Sequence, residues 1–106
     1  MANIHRHLFT VTSDTQAAAN SASIRVGGES LEIQFILAPA ALCELQISPD
    51  NVNWATAEDN SGTAITTLGA VHRNVASKME YARMQVATDA GGPRAFAGVL
   101  MIRKDI

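Results

Sequence analysis

The chain has 106 residues, 47% of them hydrophobic, which suits one domain with a two-layer core and argues against disorder. A net charge of -2 gives no electrostatic case for nucleic acid, and a single cysteine excludes an intrachain disulfide framework. No apolar run approaches the roughly 20 residues of a membrane span, and MANIHRHLF lacks the apolar core of a signal peptide, so synthesis in the cytosol is expected.

In chain order, His5 to Thr12 reads as a first strand, Leu8, Thr10 and Thr12 alternating with His7, Phe9 and Val11. Ser13 to Ser23 is small and polar, with no apolar stripe to hold a helix against the body. It reads as a loop or an extended arm that orders on a neighbour, with Gln16, Ala17, Ala18 and Ala19 as contact candidates. Ile24 to Val26 is a short strand closed by Gly27-Gly28. Leu31, Ile33, Phe35 and Leu37 give the cleanest alternation in the chain.

The run ALCELQISPDNVNWATA, residues 41–57, organises the rest. Cys43, Leu45 and Ile47 face one way; the chain breaks at Pro49-Asp50-Asn51 and resumes as a second strand ending at Trp54, a hairpin pattern. Thr63 to Leu68 suits another strand. Val71 to Ala87 is ambiguous: Met79 to Thr88 reads as strand, and Val71 to Ser77 has spacing that also fits a short helix. Arg94 to Arg103 is apolar on both faces, Phe96, Leu100 and Ile102 against Val99 and Met101. That fits a strand buried on both sides, or one whose outer face meets another subunit. The pattern is an all-β, antiparallel β-sandwich of about seven to eight strands, jelly-roll or immunoglobulin-like, spanning residues 1–106 as one domain. Residues 1–23 supply the first strand and the arm.

The residues carry little legible chemistry. His5 and His7 share a strand face, but a metal needs a further donor, and His72 is the remaining histidine. They read as exposed or interface residues. Asp50, Asn51 and Asn53 place oxygens close together, yet lack the glycine hinge and later acid of a calcium loop, so they read as turn residues. Cys43 reads as a buried structural thiol. Trp54 reads as a core or hairpin-packing residue, the alternative being a sugar-stacking platform. Tyr81 and Arg83 share a solvated face, with contact to another subunit as the second reading. No G-x-S-x-G elbow, P-loop, dinucleotide fingerprint or Cys-x-x-Cys occurs, so neither an enzyme nor a cofactor is expected.

LQISPDNVNWATA, TAITTL and YARMQVATDAGG together follow the layout strand, Ser-x-Asp-x-x-x-Trp, then Tyr-x-Arg-x-x-Val, then Gly-Gly. This resembles small tailed-bacteriophage virion β-sandwich proteins of the capsid decoration (cement) type, departing from it at the turn, where Pro49-Asp50-Asn51 replaces the commoner Asp-Gly. The resemblance implies a non-enzymatic homotrimer on the capsid surface that binds the major capsid protein and staples its subunits. Neither nucleic acid nor membrane is an expected partner. Val99, Met101 and Arg103 join the arm, Tyr81 and Arg83 as candidate contacts. A carbohydrate-binding or tail-associated adhesive sandwich is the competing reading.

Overall fold

The computed structural model describes residues 2–13, 19–37, 43–67, 72–76, 78–86 and 94–105. Among these, ten strands follow in chain order: β1 (Ala2–Ser13), β2 (Ala19–Asn20), β3 (Ile24–Arg25), β4 (Ser30–Leu37), β5 (Cys43–Ser48), β6 (Ala55–Thr56), β7 (Thr66–Thr67), β8 (His72–Asn74), β9 (Tyr81–Val86) and β10 (Arg94–Asp105). Sheet A has the order β1-β10-β4-β8, and sheet B the order β2-β9-β5-β6, with β3 also on β9 and β7 also on β5. Every named pairing is antiparallel. β2 and β3 lie along β9, and β6 and β7 along β5, so the ten segments fill eight strand positions.

The two sheets bury one face each in a shared core, which makes the expected β-sandwich. Sheet A contributes Phe9, Val11, Leu31, Ile33, Phe96, Leu100 and Ile102; sheet B contributes Cys43, Leu45, Ile47, Ala82, Met84 and Val86. Each set falls on alternate residues because successive strand side chains point to opposite faces. Gly27 and Gly28 sit at φ +66° and +72°, where a glycine pair lets the chain turn from β3 into β4.

Three expectations are corrected. The second arm of the hairpin does not end at Trp54; it begins after it, with Ala55 opposite Ile47 and Thr56 opposite Gln46. The helical spacing after Val71 gives no helix among the described residues, because His72–Asn74 pairs with β4 and Val75 bridges Asp59. The arm fails from residue 19 onward. Ala19 and Asn20 pair with Val86 and Gln85, and Ser21 bonds Met84 twice, its N–H to the carbonyl at 2.8 Å and its Oγ accepting the N–H at 2.9 Å. Gln16, Ala17 and Ala18 lie outside the described residues.

Candidate functional site

The candidate contact residues fall on the two outer faces of the sandwich. On sheet A, the continuous register sets Leu8 beside Val99 and Val99 beside Gln34. One step along, Arg6, Met101 and Glu32 form the next row, followed by Ile4, Arg103 and Ser30. Ile4 and Leu8 are 50% and 54% exposed, and Val99 and Met101 are half-buried, which leaves an apolar strip in water. Arg103 stands at its rim, Nε and Nη2 donating to Glu32 Oε2 at 3.0 and 2.8 Å. Val99, Met101 and Arg103 are thus brought together. Ile4 and Leu8 were missed as contacts, although their even spacing with Arg6 and Thr10 marks them as one face of the first strand.

On sheet B, the Ser48–Trp54 loop explains its own sequence. Ser48 is fully buried, and its Oγ accepts from the N–H groups of Asp50 at 3.2 Å and Asn51 at 2.9 Å while donating to Asp50 Oδ1 at 3.0 Å. Asp50 Oδ1 also accepts from the Val52 and Asn53 N–H groups at 2.9 and 2.8 Å, and Oδ2 accepts from Asn53 Nδ2 at 2.7 Å. These donors make Asp50 the centre of a turn. Among the described residues, no three His, Cys, Asp or Glu side chains gather as metal ligands. His5 and His7 share the inward side of β1, where His7 packs edge-on to Phe9 at 4.7 Å. The backbone of His72 lies in β8, three strand spacings or about 14 Å across the sheet.

The donors hold the Asp50 carboxyl well below the usual carboxylate range, the Asn53 and Val52 backbone bonds first among the causes. A depressed native pKa means the native state binds fewer protons than the unfolded one. Asp50 therefore contributes stability that is complete above about pH 4 and is lost as pH falls below that value. Asp50→Ala is expected to flatten the dependence of Tm on pH in that acid window. Thermal melts of both proteins from neutral pH down to the acid limit check it.

Asn51 adopts φ +65°, a left-handed conformation that asparagine tolerates better than most residues other than glycine. Asn51→Gly is expected to be near neutral, and Asn51→Val to cost about 1–2 kcal/mol in a urea titration.

The loop delivers Trp54, half-buried, to the outer face of sheet B, where the Arg83 guanidinium sits 4.2 Å from the ring centroid. Trp54 is a surface stacking residue and not a core residue; the break in strand pairing before Ala55 hid this from an alternation count. Arg83 Nε donates to Gln46 Oε1 at 2.7 Å, Gln46 Nε2 to Gln85 Oε1 at 3.1 Å, and Gln85 Nε2 to Asn20 Oδ1 at 2.7 Å. Desolvation beside the indole lowers the Arg83 pKa, and Glu44 opposes that shift. Tyr81 shares this face, opposite Ser48. Cys43 faces the core, where burial pushes its thiol up to about 11.

No protein-family model matches the chain, and no curated protein does. Among solved structures, the SPBc2 prophage-derived protein YomS matches at a TM-score of 0.69 with 8% identity, over 98% of this chain and 96% of that one. A structure of Bacillus endospore appendages, which form a novel family of disulfide-linked pili, matches at 0.54 with 9% identity, over 99% and 88%. At such identities the likeness is one of fold. The chain has the β-sandwich fold found in a prophage-derived protein and in a spore-appendage protein.

Proposed function

We propose that the chain is a non-enzymatic structural protein of a bacteriophage virion, a capsid-decoration protein. It is made in the host cytoplasm, binds the assembled head as a homo-oligomer, and stabilises contacts between major capsid subunits. The carrying observation is the outer face of sheet A, where Leu8 pairs with Val99, and Met101 and Ile4 share the same face with Arg6 and Arg103 between them, all four apolar side chains at least partly in water. Covering such a strip is favourable by about 25 cal/mol per Å², so a protein surface is its natural complement. The fold shared with a prophage-derived protein over nearly both chains supports the phage setting. A contact this small serves because a shell repeats it many times, and simultaneous sites add through multivalency.

An antibody against the purified protein should label the heads of intact particles in electron micrographs. Label confined to tails, or absent from particles, contradicts the reading.

Trp54 at the surface favours a second reading, a carbohydrate-binding or tail-associated adhesive module. Arg83 covers one face of the indole, so this reading has a sugar ring stack on the other. Saturable quenching of tryptophan fluorescence by host surface polysaccharide would favour that reading over decoration.

A further inference from the structure

A sheet edge exposes a row of N–H and C=O groups, and proteins keep such edges short, broken, proline-bearing or charged. The other edge segments here comply: β8 has three residues and β2, β3, β6 and β7 have two each. β1 does not. It runs twelve residues in unshifted register with β10, and among the described residues no strand pairs with its other edge. Its sequence, ANIHRHLFTVTS, contains no proline, glycine, lysine or acid, and Arg6 is its one permanently charged residue. At about 3.4 Å per residue it extends about 40 Å, close to the 44 Å long axis of the molecule.

We infer that this edge pairs with β1 of a second copy, antiparallel and about a twofold axis at Leu8. The inference rests on the homo-oligomer part of the reading above and names the element that makes the oligomer. Strand addition satisfies the open backbone groups directly. Keeping both cores on one side of the joined sheet requires outer residues to oppose outer residues, which places the axis at a residue. An axis at Arg6 sets two guanidiniums directly opposite each other, a destabilising pair. An axis at His7 sets Arg6 against Leu8, and one at Thr10 carries Ile4 past the end of the partner strand. An axis at Leu8 sets Leu8 against Leu8, Arg6 against Thr10 and Ile4 against Thr12, with Asn3 to Ser13 overlapping. Because Leu8 lies beside Val99, the joined face carries one apolar row: Val99, Leu8, then the second copy's Leu8 and Val99. Two small apolar strips become one, doubling the surface offered to a capsid.

Light scattering on the full chain should give twice its 11.2 kDa mass. Oxidation of Leu8→Cys should yield a covalent dimer at least about tenfold faster than Arg6→Cys, because a disulfide needs Cα atoms about 4.4–6.8 Å apart. Two copies of residue 6 would be staggered by about 14 Å. The buried Cys43 keeps the background low. Leu8→Lys should shift the mass to a single chain with an unchanged β spectrum in circular dichroism, while Val52→Lys, on a 76% exposed loop residue, should leave it dimeric. Arg6→Cys crosslinking as fast as Leu8→Cys would overturn the register. A trimer would overturn the twofold while leaving the homo-oligomer reading intact, and a monomer at millimolar concentration would overturn both.

Discussion

Replacing Phe96 with alanine is expected to destabilise the protein by about 3–5 kcal/mol, read as a lower urea midpoint at unchanged slope. The ring is 1% exposed in the shared core, on a strand flanked by both β1 and β4, so the cavity has little freedom to collapse. Three residues on, Val99 points to the outer face and is half-buried. Val99→Ala should cost about 1 kcal/mol or less. The contrast tests the assignment of the two faces of β10. Equal losses would mean that both faces are packed within one copy, and the outer strip would not exist.

Deleting residues 16–21 should lower Tm by more than about 10 °C, given that 1 kcal/mol is worth about 4–8 °C in a domain of this size. The deletion removes β2 from β9, the bond from Gln85 to Asn20, and both bonds between Ser21 and Met84. Ser21→Ala alone should cost about 1–2 kcal/mol, since the Met84 N–H then lacks its hydroxyl partner at the sheet edge. A deletion variant that melts like the wild type would restore the idea of a dispensable arm. A larger fall for the deletion than for Ser21→Ala shows that the segment is held by the whole of β2.

The longer strands were legible because their burial follows a period of two. Leu31 and Ile33, Cys43 to Ile47, Ala82 to Val86, and Phe96 to Ile102 all face the core where alternation places them. The short segments were not. β2 is alanine and asparagine followed by serine, with little apolar content, and it is held through backbone bonds, the Ser21 hydroxyl and the Asn20 side chain. His72–Asn74 shows the same limit in reverse: its surroundings have helical spacing, but pairing with Glu32 to Gln34 decides the outcome. Of the candidate surface, Val99 and Met101 were visible in one strand. Their union with Ile4 and Leu8 depends on the β1–β10 register, a pairing between opposite ends of the chain that no local pattern encodes. The Ser48–Asp50 frame was visible as a turn, whereas the stacking of Trp54 under Arg83 required the sheet B register to bring them together.

The most direct test of the decoration reading is the occupancy of heads stripped of this protein and then re-incubated with purified variants. Val99→Lys puts an ammonium into the apolar strip of sheet A, and Arg83→Ala uncovers Trp54 on the opposite face. Val99→Lys is expected to lose at least about tenfold in occupancy, worth about 1.4 kcal/mol per site, while Arg83→Ala binds like the wild type. Wild-type occupancy for Val99→Lys together with loss for Arg83→Ala would contradict that reading and move the binding surface to sheet B.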